Sequence, residues 1–209
     1  MYAKYIKRLI DIIISLILFP LLLLLVVVVG ILIKLEDRGP VFYKGTRLGQ
    51  YQKEYKMYKF RSMIVDAPDI RNTDGSTFNS IQDPRQTKIG RILRKTSLDE
   101  VPQIINVIKG DMSLVGPRPS PLGNEHTYDD EYKLKFNVKP GITGFSQAYY
   151  RNSIDSQEKK KYDVYYSENL SFKLDIRIIL KTIGTVFNRK GIYTNNDNST
   201  NVSRKGINK

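Results

Sequence analysis

Two adjacent carboxylates, Asp99 and Glu100, sit among basic residues in RQTKIGRILRKTSLDEVPQIINVIKGDMSLVGPRP, residues 85–119. Arg91, Arg94 and Lys95 lie just upstream, and Arg118 follows on a loop braced by Pro117 and Pro119. A carboxylate set among cations is an anionic nucleophile held between phosphate clamps, and an aspartate can attack phosphorus to give an acyl phosphate. Two anions otherwise repel, so a hard divalent cation such as Mg²⁺ is expected to hold carboxylate and diphosphate together. A second role fits the same residues. Ser97-Leu98-Asp99-Glu100 matches a capping box with Ser97 as N-cap. Alternatively, Asp99 is itself the N-cap, and Pro102 then falls in the first turn, where proline is tolerated. Spacing leaves capping and catalysis both open.

The rest of the composition narrows the chemistry. There is no cysteine, so a thiol nucleophile, a thiolate zinc site and a disulfide framework are excluded. The one histidine, His126, lies in the polar stretch GNEHTYDD and reads as a solvated loop residue. Acid–base or nucleophilic work therefore falls to carboxylates, with lysine and arginine as anion clamps. The net charge of +13 over 209 residues suits anionic lipid or a polyanionic small substrate. It also suits nucleic acid, but the basic residues are scattered and no nucleic-acid-binding module is present, so that partner is set aside.

The elements that must position these groups follow from pattern. TSLDEVPQIINVIKG reads as a helix, with Leu98, Val101, Ile104, Ile105 and Ile108 at i, i+3, i+4 spacing and Gly110 as its stop. The two acids then lie at a helix start, where free N–H groups favour anions. TKIGRILRK predicts a short helix and MSLV a short strand. PVFYKGTRLG and KEYKMYKFRSM predict a hairpin turning near residues 50–53. Lys53, Lys56, Lys59 and Arg61 alternate with Tyr55, Tyr58 and Phe60 there, as a basic strand surface or as one wall of a phosphate cleft. KPGITG reads as a turn and FSQAYY as strand-like. Two helices are expected toward the C-terminus, over SQEKKKYDVYYSEN and LSFKLDIRIILKTIGTVF. The second has an apolar stripe (Phe172, Ile176, Ile179, Ile183, Phe187) and a basic one (Lys173, Arg177, Lys181), which suits either a membrane interface or packing on a core.

An apolar run with no charge from Ile12 to Ile33 fixes the setting. At ~1.5 Å per residue it reaches ~33 Å, close to the ~30 Å hydrocarbon core. Pro20, near its centre, disfavours a straight helix by about 3 kcal/mol or more. Lys4, Lys7 and Arg8 precede the run; Lys34, Arg38, Lys44 and Arg47 follow it. Positive charge marks the cytoplasmic side, so charge at both ends predicts a helix that enters, bends at Pro20 and leaves on the same face. The organisation expected is a re-entrant membrane helix hairpin at 1–37, a catalytic domain with interfacial helices at 38–190 and a disordered polar tail at 191–209. The fold class is α/β: a small membrane-associated domain with a small sheet and short helices around a cleft.

Taken together, the KRLID lead-in with its proline-broken run, GPVFYK, YKFRSM, residues 83–119, KPGITGFSQ, RNSI and DVYYSENLSFKLDIRIILKT resemble the bacterial sugar transferase family. These are the monotopic phosphoglycosyl transferases that start glycan assembly on polyprenol phosphate, and the resemblance is to their minimal catalytic form. It covers nearly the full chain. It implies that Asp99 is the nucleophile and a Mg²⁺ ligand, taking a phosphosugar from a UDP-sugar with release of UMP and passing it to polyprenol phosphate. Glu100 would assist by positioning the metal or accepting a proton. Arg94 and Arg151 would contact phosphates. Arg118, fixed by Pro117 and Pro119, would hold the uridine end, and Lys59 and Arg61 would line the same cleft. Pro20 would be the break in the re-entrant helix. The setting implied is the cytoplasmic face of a bacterial inner membrane, in contact with membrane lipid; the apolar run is compatible with a homo-oligomer, but no residue specifies one. Two positions depart from the family's pattern: Phe19, where many relatives have a small polar residue, and Tyr150, where a glycine is common. Two rival readings are a glycosyl transferase releasing UDP and a membrane-anchored scaffold without chemistry.

Overall fold

The apolar run folds as one helix. In the computed structural model, which describes residues 1–70, 78, 80, 82–150 and 153–187, α1 extends from Lys7 to Asp37 after a single wider turn at Tyr2–Ile6. Pro20 lies inside α1 and is exposed, and the helix runs through it without interruption. By length and composition α1 can cross a membrane. Its middle is largely bare: Leu16, Ile17, Leu21, Leu23, Leu24, Val27 and Val28 are exposed.

Both ends of α1 are bonded to the rest of the chain. Near its start, Arg8 donates to the carbonyls of Val107 and Ile108 at 2.5 and 3.0 Å. The Asp11 carboxylate accepts from Ser113 Oγ at 2.7 Å and from the Leu114 amide at 3.1 Å. Lys7 pairs with Asp175 at 2.7 Å, both side chains buried. Near its end, Asp37 pairs with Arg61, and Glu36 accepts from the backbone amides of Lys88 and Ile89. The two amides at that helix start are thereby satisfied by a carboxylate from a separate element.

The hairpin forms as the alternation predicts. Strand β1 (Phe42–Leu48) pairs antiparallel with β2 (Glu54–Phe60), Phe42 facing Phe60 and Leu48 facing Glu54. Two short strands, β3 (Ser113–Val115) and β4 (Ser120–Pro121), follow the central helices, and β4 joins the free edge of β1. KPGITG contributes more than a turn: β5 (Gly141–Thr143) runs parallel to β3. The architecture is therefore mixed helix and sheet, as expected, with two small sheets.

Helix α2 (Lys88–Thr96) is capped by Thr87 Oγ1, which accepts from the Gly90 amide at 2.9 Å. The next segment corrects the expected helix from Ser97. Ser97 is left-handed, Leu98–Glu100 form a single 3₁₀ turn, and α3 is short, Gln103–Lys109. Pro102 is the reason. A continuous α-helix would need its N–H for the Leu98 carbonyl; that carbonyl is instead met by the Val101 amide at 3.2 Å, an i→i+3 bond. A brief helix, α4 (Asp130–Lys133), follows. FSQAYY is also corrected, being helix α5 (Phe145–Tyr149) rather than strand. Phe145 and Tyr149 stack at 4.6 Å, an i,i+4 contact that only helical spacing allows. Helices α6 (Ser156–Glu168) and α7 (Phe172–Phe187) form as expected. The 191–209 tail lies outside the described residues.

The core beneath the site joins α1 to β2 and α2: Val29, Ile33, Phe60 and Leu93 are buried together. Phe60 is 1% exposed and stacks on Phe42. Phe60→Ala is expected to cost about 3–5 kcal/mol, read as a lowered denaturation midpoint in detergent-solubilised protein.

Candidate active site

Lys59, the penultimate residue of β2, reaches across to the 3₁₀ turn and pairs with Glu100 at 2.5 Å. The pair lines an open cleft of ≈ 100 Å³ whose other walls include Arg47, Gln103, Arg118, Pro119, Ile142 and Gln147. Arg118 projects from the loop between β3 and β4 with its side chain exposed, and Pro117 is buried behind it. Of the residues expected at the site, the fold thus brings Lys59, Glu100, Arg118 and Pro119 to one cleft. Asp99 neighbours Glu100 on the same turn, and Arg94, from the last turn of α2, lies close enough to bias both acids.

The two carboxylates differ in charge state. Burial raises the Asp99 carboxyl to about 6; Lys59 opposes the rise, Glu100 adds to it and Arg94 opposes it. Burial also pushes Glu100 upward, but Lys59, Arg118 and Arg94 together outweigh it and hold Glu100 below the ordinary carboxylate range. Glu100 is therefore a committed anion tied to Lys59 and a poor proton acceptor. Asp99 has no ion-pair partner among the described residues. Two neighbouring acids pushed apart in this way take separate roles.

Three expectations about the site change. Arg61 does not line the cleft. It is buried at the start of the loop after β2, bonded to Asp37, to the Pro40 carbonyl at 2.6 Å and to the Met63 carbonyl at 2.9 Å. Its role is to fasten the end of α1. The acids are not at an α-helix N-terminus, because α3 begins after them at Gln103, so the helix-dipole argument for their ionisation does not apply. Neither acid caps a helix: Ser97 makes no side-chain cap bond. Arg151 lies outside the described residues.

Among the described residues no cluster of three or more acidic or histidine side chains could cage a metal ion. A hard divalent cation that keeps its water needs only one or two carboxylates beside a substrate phosphate. Asp99, which makes no ion pair among the described residues, is the carboxylate that would hold such an ion. Sequence reasoning missed Arg47, Gln103 and Gln147 as walls of the cleft, since nothing local marks them; they meet only through β1, α3 and α5.

The chain is similar in sequence to known proteins over most of its length. The sequence profile of the bacterial sugar transferase family matches residues 2–189. An Aeromonas hydrophila protein named UDP-N-acetylgalactosamine-undecaprenyl-phosphate N-acetylgalactosaminephosphotransferase is 39% identical over 188 residues, 87% of this chain and 44% of its own length. The Escherichia coli protein named UDP-glucose:undecaprenyl-phosphate glucose-1-phosphate transferase is 37% identical over 198 residues, 91% of this chain and 42% of its own. An uncharacterized sugar transferase of Bacillus subtilis, EpsL, is 38% identical over 190 residues, 91% of each chain. The chain spans less than half of the first two relatives and nearly all of the third. With a match from Tyr2 to Arg189 and relatives of this identity, the chain belongs to the bacterial sugar transferase family.

Proposed function

We propose that the protein is a phosphoglycosyl transferase that moves a sugar-1-phosphate from a UDP-sugar to polyprenol phosphate and releases UMP. The observation that carries this is the divided acid pair: Asp99, raised to about 6 and making no ion pair among the described residues, beside a Glu100 locked to Lys59. In the first step an Asp99 carboxylate oxygen attacks the sugar-bearing phosphorus. The bridging P–O bond breaks, and UMP departs with the electron pair. In the second step a phosphate oxygen of polyprenol phosphate attacks the same phosphorus and expels the carboxylate, giving polyprenol-diphospho-sugar. A phosphate monoester has its second pKa at about 6, so the acceptor is mostly dianionic at pH 7 and needs no base. Glu100 then serves to hold Lys59 at the phosphates, and Arg118 holds the nucleotide. Arg94 and Arg151 complete the phosphate contacts. Bound Mg²⁺ supplies charge neutralisation between carboxylate and diphosphate.

The membrane reading belongs to the same proposal. A helix spanning the bilayer would separate its ends by ~30 Å of hydrocarbon. Here Arg8 and Asp11 at one end and Glu36 and Asp37 at the other bond to the same compact body. With positive charge on both flanks, that supports a re-entrant course with the catalytic body on the cytoplasmic face. On α7, Phe172, Ile176, Leu180 and Ile183 are exposed, which supports an interfacial position that brings the cleft to headgroup depth.

The test is the identity of the released nucleotide. Purified protein in nanodiscs is given Mg²⁺, undecaprenyl phosphate and UDP-N-acetylgalactosamine, UDP-galactose or UDP-glucose, the sugars named for the relatives. UMP from one donor is the expected result. UDP would instead mean glycosyl transfer, and undiminished biological function of an Asp99→Asn protein would mean a scaffold.

A further inference from the structure

Lys135 and Asp163 are a buried ion pair that neither the chemistry nor the membrane contacts above use. Lys135, in the turn after α4, is 4% exposed, and Asp163, in α6, is 5% exposed. Their side chains meet at 2.8 Å. Both also reach the backbone of one residue. Lys135 Nζ donates to the Arg118 carbonyl at 2.8 Å, and the Arg118 amide donates to Asp163 Oδ1 at 3.4 Å. Lys135 donates as well to Ser120 Oγ and Tyr132 OH, at 3.2 and 2.9 Å. Desolvating two charges is costly, and an apolar pair of similar volume would often serve stability as well or better. A buried pair whose free valences converge on the peptide groups flanking an exposed arginine is therefore placed for position.

The geometry points to Lys135 and Asp163 as positioning residues that clamp the Arg118 backbone and so aim its guanidinium at the nucleotide half of the donor. This rests on the proposed phosphosugar transfer. Arg118 stands on a loop with an exposed side chain, and a long arginine on a wandering backbone would lose much of its binding to ordering. The neighbouring Pro117 carbonyl is held separately by the Gly141 amide at 3.0 Å, so the loop is pinned on both sides of its cation-bearing residue.

The test is a double-mutant cycle with Arg118→Ala. The doubly neutral variant Lys135→Met with Asp163→Asn removes both charges together and avoids leaving one buried alone; Asp163→Asn alone is the milder second variant. Each is first shown to be folded by its thermal transition, then assayed for UMP release from the UDP-sugar the wild type uses. Expected is a tenfold or larger rise in KM for the UDP-sugar in the doubly neutral variant, and two- to fivefold for Asp163→Asn. kcat and the KM for undecaprenyl phosphate should stay within threefold. In the Arg118→Ala background the same changes should add less than twofold. Equal effects in both backgrounds, or a loss of kcat with KM unchanged, would overturn the clamp and leave the functional reading intact. A wild type that turns over no donor overturns that reading and the clamp with it.

Discussion

Asp99→Asn is expected to abolish turnover, by a thousandfold or more, while making the metal-free protein more stable. The first half follows from the amide's inability to form an acyl phosphate. The second follows from linkage. The folded state raises the Asp99 carboxyl from its ordinary value of 3.8 to about 6, chiefly by burial. The fold therefore binds that proton more tightly than the unfolded chain does. Stability falls as pH rises between those values, and the full cost is present above about 6. Asparagine carries no such cost. In chelator, the variant should exceed the wild type by up to about 3 kcal/mol at pH 7–8, and the gap should close toward pH 4. Mg²⁺ should raise the melting temperature of the wild type and not of the variant. Loss of activity through misfolding would lower stability, so the two measurements together separate a missing nucleophile from a damaged fold. A variant that retains activity, or one that is less stable at pH 8, would refute the assignment.

Gly90→Ala should have a large structural effect for a single methyl group. A Cβ at Gly90 would lie 2.0 Å from the Ser62 carbonyl oxygen, 2.5 Å from its carbonyl carbon and 2.6 Å from its Cα. All three are backbone atoms, so no rotamer change relieves the overlap. Helix propensity alone predicts a gain of about 1 kcal/mol for this substitution in a helix interior. The contact predicts the opposite sign, a loss of about 3 kcal/mol or more. The same shift would displace α2, and with it Arg94 and the 3₁₀ turn, so residual folded protein should also lose turnover. Gly184→Ala, in α7 with open space around it, is the control and should be near neutral or stabilising. Soluble yield and thermal denaturation of the two variants decide it.

What was legible in the sequence was local. The acid pair, Arg94 and the Pro-Arg-Pro loop lie within 35 residues and announce their chemistry by type; Lys59, 41 residues before Glu100, does not. The hairpin, α2, α6 and α7 follow from periodicity. The 3₁₀ turn was hidden because Leu98, Val101 and Ile104 are spaced by three, a period that fits 3₁₀ geometry as well as the start of an α-helix. Aromatic residues in FSQAYY suggested a strand, and their stacking in α5 needed partners from α6, such as Phe145 on Tyr162 at 5.2 Å. Arg61 looked like one more cation in a basic strand. Its partner, Asp37, is 24 residues earlier at the end of α1, and no spacing rule links them. The Lys135–Asp163 pair is likewise 28 residues apart. Long-range ion pairs are assigned by topology, and topology is what pattern alone does not contain.

The anchoring of α1 also sets an order of events during synthesis. Lys7 is made before its counter-ion Asp175, which lies 168 residues later. At about 5–20 residues per second, the lysine waits on the order of 10–30 s before its partner exists. Through that interval Arg8 and Asp11 meet their partners at residues 107–114, while Lys7 remains without its buried counter-ion. Docking of α7 then pairs Lys7 with Asp175 and withdraws both from water. Helix α7 thus completes the attachment of α1, and a nascent chain that stops short of Asp175 lacks the counter-ion that buries Lys7.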